Sequence, residues 1–213
     1  MTRVKICGLT QTEDVEKAIE LGADALGFVF EPNSPRYIGS RANDLIAAVE
    51  PYAICVGVYG QFHSVDRPHL NAVQFTELGG TASIFSSVGF GRMPPAIKAL
   101  RVTGREEPGL ALKMAEDWLR QFRIEPRGLL LDAFDPEKHG GTGKRVDWEF
   151  AAEFVRLSAR PVILAGGLTP ENVAEAVEKV RPYAVDVSSG VEASPGVKDH
   201  AKMRDFIQAA RNR

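Results

Sequence analysis

The sequence has only two cysteines, Cys7 and Cys55, and no hydrophobic run long enough to cross a membrane. Two cysteines cannot build a disulfide framework, so we expect a reducing compartment. A membrane helix needs about 18–20 apolar residues, and no stretch approaches that length. The first five residues lead straight into a strand-like run, without the apolar segment of a signal peptide. We therefore expect a cytoplasmic protein that has no membrane partner.

Strong charge and the common cofactor motifs are missing as well. The formal net charge is -2, which gives no reason to expect nucleic acid as a partner. The glycine-rich segment at 140–144 lacks the spacing of a Walker A motif, and no dinucleotide fingerprint is present. The four histidines show no spacing typical of a metal site. We expect neither a metal nor an organic cofactor.

What the sequence does contain is an alternation of short apolar runs and amphipathic segments. The predicted strands lie at 4–7, 25–30, 54–59, 72–75, 96–102, 128–132, 161–165 and 183–187. Helices are predicted at about 10–22, 42–50, 110–122, 147–157, from 169–170 onward, and at 197–211. The segments at 60–70 and 78–95 are polar or rich in glycine and serine, so we expect helices three and four to be irregular or replaced by loop.

This alternation indicates an α/β fold with a parallel sheet. Such a sheet can be open and doubly wound, or it can close into a barrel. Eight repeats without a long insertion favour a single (β/α)8 TIM barrel, and 213 residues lie near the lower end of the size range of that fold. No linker or low-complexity tract interrupts the chain, so we predict one domain over residues 1–213.

In a barrel of this kind, function lies at the carboxyl ends of the strands. Cys7 ends the first predicted strand, where it is either a general base or a small buried hydrophobe. Asp132 ends an all-leucine strand, where it is either a partly desolvated general acid or a cap of the following turn. Asp186, near the end of strand eight, has the same two interpretations. Cys55 lies in the middle of a strand and is interpreted as a core residue.

Two glycine-containing turns follow strands seven and eight. Gly166 and Gly167 stand in one turn, and Ser189 and Gly190 stand in the other. Glycines let backbone amides approach an anion closely, and these two loops often bind phosphate in barrels. Arg36, in the loop after strand two, is either a clamp for a carboxylate or a solvated surface arginine.

The sequence contains a series of short motifs: Lys-Ile-Cys-Gly-Leu-Thr at 5–10, Gly-Ala-Asp-Ala-Leu-Gly-Phe-Val-Phe at 22–30, Ser-Pro-Arg-Tyr at 34–37, Leu-Asp at 131–132, Gly-Gly-Thr-Gly at 140–143, Ala-Gly-Gly-Leu at 165–168 and Asp-Val-Ser-Ser-Gly-Val-Glu at 186–192. Together these motifs are similar to those of the phosphoribosylanthranilate isomerases. The match covers 2–59 and 96–192, in order and at appropriate intervals. At strand four the chain has Val-Gln-Phe-Thr-Glu at 73–77, where the family usually has Val-Gln-Leu-His-Gly.

The resemblance implies an Amadori rearrangement of N-(5-phospho-β-D-ribosyl)anthranilate in tryptophan biosynthesis. Under it, Asp132 is the general acid that protonates the furanose oxygen, and Cys7 is the base that removes the C2 proton. Arg36 holds the anthranilate carboxylate, and Asp186 lies close to the substrate. The phosphate is held by backbone amides, which belong to Gly166, Gly167, Ser189 and Gly190.

Two other functions fit parts of the sequence. A phosphosugar-binding barrel without catalytic activity is suggested by the altered end of strand four, but binding alone requires neither Cys7 nor Asp132. A related barrel enzyme of the indole or histidine pathway fits Cys7 and Arg36 less well. We also expect a monomer, because no unusually apolar surface helix is evident.

Overall fold

A computed structural model describes residues 1–49, 53–62, 70–78, 95–121, 126–133 and 146–212 of the chain. Eight parallel strands form a closed barrel in which each strand pairs with the next in sequence and β8 pairs with β1. They are β1 (Arg3–Cys7), β2 (Ala25–Val29), β3 (Ile54–Phe62), β4 (Ala72–Leu78), β5 (Ala96–Val102), β6 (Gly128–Ala133), β7 (Val162–Leu164) and β8 (Ala184–Val187). The predicted (β/α)8 barrel is confirmed, and the open sheet is wrong.

Helices connect the strands on the outside of the barrel. Those described are α1 (Thr12–Glu20), α2 (Ala42–Ala47), α3 (Pro108–Gln121), α4 (Trp148–Leu157), α5 (Val173–Val180) and α6 (His200–Arg211). Asp147 caps α4, and Asp199 caps α6, each by accepting two backbone N–H bonds. The segments at 60–70 and 78–95, where irregular helices or loop were expected, lie largely outside the described residues. No described helix is long and apolar enough to cross a membrane.

Apolar residues fill two layers. The larger lies between the strands and the helices, and its fully buried side chains include Phe28, Phe154 and Phe206. The smaller lies inside the barrel, where Ala99, Leu130 and Ile163 pack together. Because successive side chains of a strand point to opposite faces, every second residue of a strand points into the barrel interior. This alternation places the polar side chains at the strand ends above the small inner core.

Two predicted helix starts are wrong. The last helix begins at His200 and not at 197, because Val197–Lys198 pairs with Glu192–Ser194 in a small antiparallel sheet (β9, Glu192–Ser194; β10, Val197–Lys198). The turn between these strands uses Gly196 at a φ of 84°. The helix after β7 begins at Val173 and not at 169–170. There the Asn172 side chain accepts from the Thr169 N–H and donates to the Gly167 carbonyl, which holds the segment as a turn.

Candidate active site

One cavity at the carboxyl ends of the strands collects all the site residues predicted from the sequence. The cavity lining includes Cys7, Arg36, Asp132, Gly166, Gly167, Asp186, Ser189 and Gly190. They come from β1, β6, β8 and the loops that follow β2, β7 and β8. The closed barrel therefore brings together residues that lie as much as 183 positions apart along the sequence, between Cys7 and Gly190.

Cys7 ends β1 and is buried, with 7% of its surface exposed. Burial raises the pKa of the Cys7 thiol, and the nearby Asp186 charge raises it further. The Lys5 ammonium acts in the opposite direction. Lys5 is itself buried and forms an ion pair with Asp186, with 2.8 Å between Nζ and Oδ1. The wall formed by β1 and β8 thus combines a thiol, an ammonium group and a carboxylate.

Asp132 lies near the end of β6 and its carboxyl group opens into the same cavity. Burial raises the pKa of Asp132 to about 6, and the charge of Asp186 adds to the effect. A backbone hydrogen bond from Ala133 and the charge of Arg101 oppose the rise without cancelling it. This pKa lies close to neutral pH, which suits a general acid, although most of the carboxyl groups are ionised at pH 7.

Arg36 reaches the cavity from the loop after β2, where it is held by a carboxylate. Its Nε and Nη2 donate to the Glu192 carboxylate at 2.7 and 2.6 Å. Lys198 also binds Glu192, with 2.9 Å between Nζ and Oε1. Although burial opposes ionisation, the hydrogen bonds from Arg36 and the charge of Lys198 keep the pKa of Glu192 below its ordinary value. Two basic side chains thus share one carboxylate beside the cavity, although burial lowers the pKa of Lys198.

The two glycine-containing turns pack directly against each other. A β-carbon on Gly190 would lie 1.9 Å from the Leu168 carbonyl oxygen, so only glycine allows this approach. Gly166 and Gly167 adopt φ values of 77° and 68°, a region that glycine populates readily. Within the described part of the chain, the backbone N–H groups of Gly167 and Ser189 donate to no protein acceptor. These turns therefore offer unused donors to an anion.

Comparison with known proteins assigns this arrangement to one family. A family model described as N-(5'phosphoribosyl)anthranilate (PRA) isomerase matches residues 110–209. The N-(5'-phosphoribosyl)anthranilate isomerase of Geotalea uraniireducens is 45% identical over 99% of this chain and 99% of its own length. The chain belongs to the phosphoribosylanthranilate isomerase family. It is an isomerase of tryptophan biosynthesis, and the family, fold and activity predicted from its motifs are confirmed.

Solved structures of phosphoribosylanthranilate isomerases share the fold. The enzyme from Thermotoga maritima is 37% identical, with a TM-score of 0.78 and full coverage of both chains. A second structure, at 35% identity and a TM-score of 0.74, also covers both chains completely. That protein was crystallised in complex with reduced 1-(o-carboxyphenylamino)-1-deoxyribulose 5-phosphate.

Sequence reasoning missed four polar residues of this isomerase site or its border. Lys5, Glu192 and Lys198 received no role, although the first two stand in the quoted motifs. Gln74 on β4 lines the cavity, and its buried Oε1 has no hydrogen-bond partner among the residues that the structure describes. The strand period could have revealed Lys5, because a residue two positions before Cys7 lies on the same face of β1. Glu192 and Lys198 depend on the β9–β10 hairpin, whose second strand was predicted as the start of a helix.

Some predicted features lie outside the described residues. They include the glycine-rich loop at 140–144, and three of the four histidines, His63, His69 and His139. Within the altered strand-four motif, Thr76 is described, but the side chain of residue 77 is not.

Proposed function

We propose that Asp132 and Cys7 are the acid and the base of this isomerase. The reaction converts N-(5′-phospho-β-D-ribosyl)anthranilate to 1-(2-carboxyphenylamino)-1-deoxy-D-ribulose 5-phosphate. The observation that carries the assignment is the placement of both groups in one cavity, at the ends of β6 and β1. The raised pKa of Asp132, about 6, adds to it, since a general acid works best when its pKa lies close to the working pH.

Asp132 opens the sugar ring. Its proton passes to the furanose oxygen as the bond between that oxygen and C1 breaks. The nitrogen lone pair of the anthranilate then forms a double bond with C1, giving a protonated Schiff base. The resulting Asp132 carboxylate lies close to Asp186, so the two negative charges favour reprotonation of Asp132 for the next turnover.

Cys7 then shifts the double bond. Its thiolate removes the proton from C2, and the electron pair of that C–H bond moves to form the double bond between C1 and C2. The Schiff base accepts the electrons at nitrogen and becomes an enolamine, which tautomerises to the ketone. C2 is oxidised as C1 is reduced, so the reaction balances without an external oxidant or reductant.

The remaining predicted residues bind the two anionic ends of the substrate. Arg36 binds the anthranilate carboxylate through Nη1, since Nε and Nη2 donate to Glu192. The turns containing Gly166, Gly167, Ser189 and Gly190 bind the phosphate, and a phosphate or sulfate ion in a crystal should lie between them. Asp186 lies between these ends, where its second oxygen can accept a hydrogen bond from the sugar.

The decisive experiment compares the two buried cysteines, which are both free thiols in the structure. Cys7→Ala should lower kcat by about 10²–10⁴-fold, the usual contribution of a positioned base, with little change in KM. Cys55→Ala should lower the melting temperature while turnover stays nearly normal. Conversion is followed by the loss of the substrate's anthranilate fluorescence. Near-normal turnover of folded Cys7→Ala would remove Cys7 from the mechanism.

Three further properties stay predictions for this chain. We infer one domain over residues 1–213, a monomer in solution and a cytoplasmic location. Light scattering during gel filtration measures the mass of the particle directly. A mass of twice 23.2 kDa would exclude the monomer.

A further inference from the structure

A buried ion pair lies beneath the cavity, and the acid and base assigned above do not account for it. Lys5 is 3% exposed and Asp186 is 8% exposed, and their side chains approach to 2.8 Å. The two residues are also register partners on the paired strands β1 and β8. Burying two charges is expensive even when they are paired, and a well-packed apolar pair is often equally stable. This pair therefore suggests a functional role for Lys5.

Cys7 stands two residues after Lys5, so both side chains point into the barrel interior. The neighbouring strand makes room for them at Gly27. A β-carbon at that position would lie 2.7 Å from the Cys7 Sγ and 3.1 Å from the Lys5 Cε. The missing side chain lets the ammonium group and the sulfur share one small space.

Charged groups from several elements face this space. Asp186 approaches from β8 and Asp132 from β6, and the charges of both carboxyl groups interact with that of Lys5. Lys198 on β10 and Arg36 in the loop after β2 interact with the Cys7 sulfur from the rim. Among these cations, Lys5 has the largest effect on the thiol, both through its charge and through a hydrogen bond.

A neutral thiol cannot remove a proton from carbon, so the base must be the thiolate. Burial raises the pKa of Cys7 and works against the thiolate. An ammonium group beside the sulfur favours the ionised form. The pKa of Lys5 is itself raised, because the Asp186 and Cys7 charges outweigh the burial of the ammonium group. Lys5 therefore keeps its positive charge throughout the reaction.

We propose that Lys5 is a positioning residue of the isomerase, whose ammonium group holds the Cys7 thiolate for proton abstraction and is itself fixed by Asp186. The inference rests on the assignment of Cys7 as the base. It adds a reason for the buried pair: Asp186 orients Lys5 and also places a negative charge near Asp132. One ion pair thus acts on the base through its cation and on the acid through its anion.

The test measures how fast iodoacetamide alkylates Cys7 as a function of pH, in a Cys55→Ala background that leaves one thiol. Lys5→Met removes the charge and keeps the length of the side chain. The pH midpoint of alkylation should rise by about 1–3 units, the usual effect of losing an opposite charge at this range. Lys5→Arg keeps a cation and should stay near the wild-type midpoint. Lys17→Met removes a partly exposed lysine on α1 that pairs with Glu20, and it should leave the midpoint unchanged.

Lys5→Met leaves the Asp186 carboxylate buried without its partner, so this variant risks misfolding. The double variant Lys5→Met/Asp186→Asn removes both charges and guards against that outcome. Its midpoint should still rise, but by less, because the Asp186 charge that opposes the thiolate is also gone. An unchanged midpoint in either folded variant would overturn the proposal, whatever happens to kcat.

The result of the alkylation test can be distinguished from the result of the Cys7→Ala activity test. If Cys7→Ala remains active, Cys7 is not the base, yet the alkylation midpoint still reports whether Lys5 stabilises its thiolate. If Cys7→Ala is inactive and the midpoint of Lys5→Met does not move, the base assignment stands and the role of Lys5 is wrong. A fall in kcat with an unmoved midpoint would show that Lys5 only supports the barrel.

Discussion

The guanidinium group of Arg36 is held by the carboxylate of Glu192, 156 residues away in the sequence, through two parallel hydrogen bonds. Glu192 begins β9, and Lys198 on β10 binds the same carboxylate. The small hairpin after β8 therefore orients the arginine that we assign to the anthranilate carboxylate. The absence of a side chain on Gly8 contributes, since a β-carbon there would lie 2.4 Å from the Arg36 Cδ.

Glu192→Gln should weaken substrate binding more than it slows turnover. The amide can accept one hydrogen bond but places a donor against the guanidinium group, so Arg36 loses its fixed orientation. We expect KM to rise about tenfold, equivalent to about 1.4 kcal/mol, with a much smaller change in kcat. Steady-state kinetics give both values.

A matched control for this variant lies on the surface of α4. Glu153 also accepts two hydrogen bonds from one arginine, Arg156, but the Arg156 side chain is largely exposed and that of Glu153 partly exposed. Glu153→Gln should leave KM and kcat unchanged, because exposed pairs contribute little. An unchanged KM in Glu192→Gln would mean that Arg36 does not need its contact with Glu192 to bind the anthranilate carboxylate of the substrate.

Gly190→Ala tests the phosphate turns. The added methyl group would meet the Leu168 carbonyl oxygen at 1.9 Å, so the two turns must separate. We expect KM for the phosphorylated substrate to rise by about 10²-fold or more, because several charge-assisted hydrogen bonds are lost together. Competitive inhibition by inorganic phosphate should weaken in parallel.

The control is Gly109→Ala in α3, where the described atoms nearest to the added methyl group belong to the flexible side chain of Glu107, at 3.3 Å. It should preserve both KM and phosphate inhibition. If folded Gly190→Ala still shows normal phosphate inhibition, the phosphate does not bind between these two turns.

The sequence was sufficient for the barrel and for the residues at its mouth, because both follow from short-range patterns. The bounds of β5, Ala96–Val102, agree with the prediction, since the strand begins directly after two prolines. Cys7 and Asp132 were found by their position at strand ends. The residue that binds Arg36 could not be predicted in this way. Nothing near Arg36 in the sequence indicates Glu192, because the contact exists only when the barrel is closed.

The two wrong helix starts have different physical origins, although both segments carry helix-starting residues. At 169–172 the Asn172 side chain bonds to backbone groups three and five residues away and holds a local turn. At 197–199 the backbone is held by a tertiary contact. The N–H of Lys198 donates to the buried carboxylate of Asp14 on α1, which fixes β10 as an extended segment until Asp199 can cap α6. Local helix propensity cannot predict this contact, because Asp14 lies 184 residues away in the sequence.

Asp132→Asn should make the protein more stable and less active at the same time. The pKa of Asp132 is about 6 in the folded chain, above the ordinary value of 3.8. As the pH rises from about 3.8 to about 6, the unfolded chain releases this proton first, so folding stability falls across that window and stays reduced above it. Above pH 6 the loss is roughly 2–3 kcal/mol, at about 1.4 kcal/mol for each pKa unit. Asparagine carries no charge, so the variant avoids this loss.

The measurement is a set of urea unfolding curves at pH 4 and pH 8, beside kcat. At pH 8, Asp132→Asn should be more stable than the wild type by up to about 3 kcal/mol, and the difference should shrink to less than about 1 kcal/mol at pH 4. Its kcat should fall by about 10²–10⁴-fold, because the amide has no proton to transfer. Asp117→Asn on α3, where the side chain is half exposed, should show neither effect.

A stabilised Asp132→Asn variant that keeps its turnover would reduce Asp132 to a turn residue and leave Cys7 without an acid, since asparagine can still accept the hydrogen bond from Ala133. If the stability difference between Asp132→Asn and the wild type is no larger at pH 8 than at pH 4, the ionised carboxylate is well tolerated and the pKa of Asp132 is not raised.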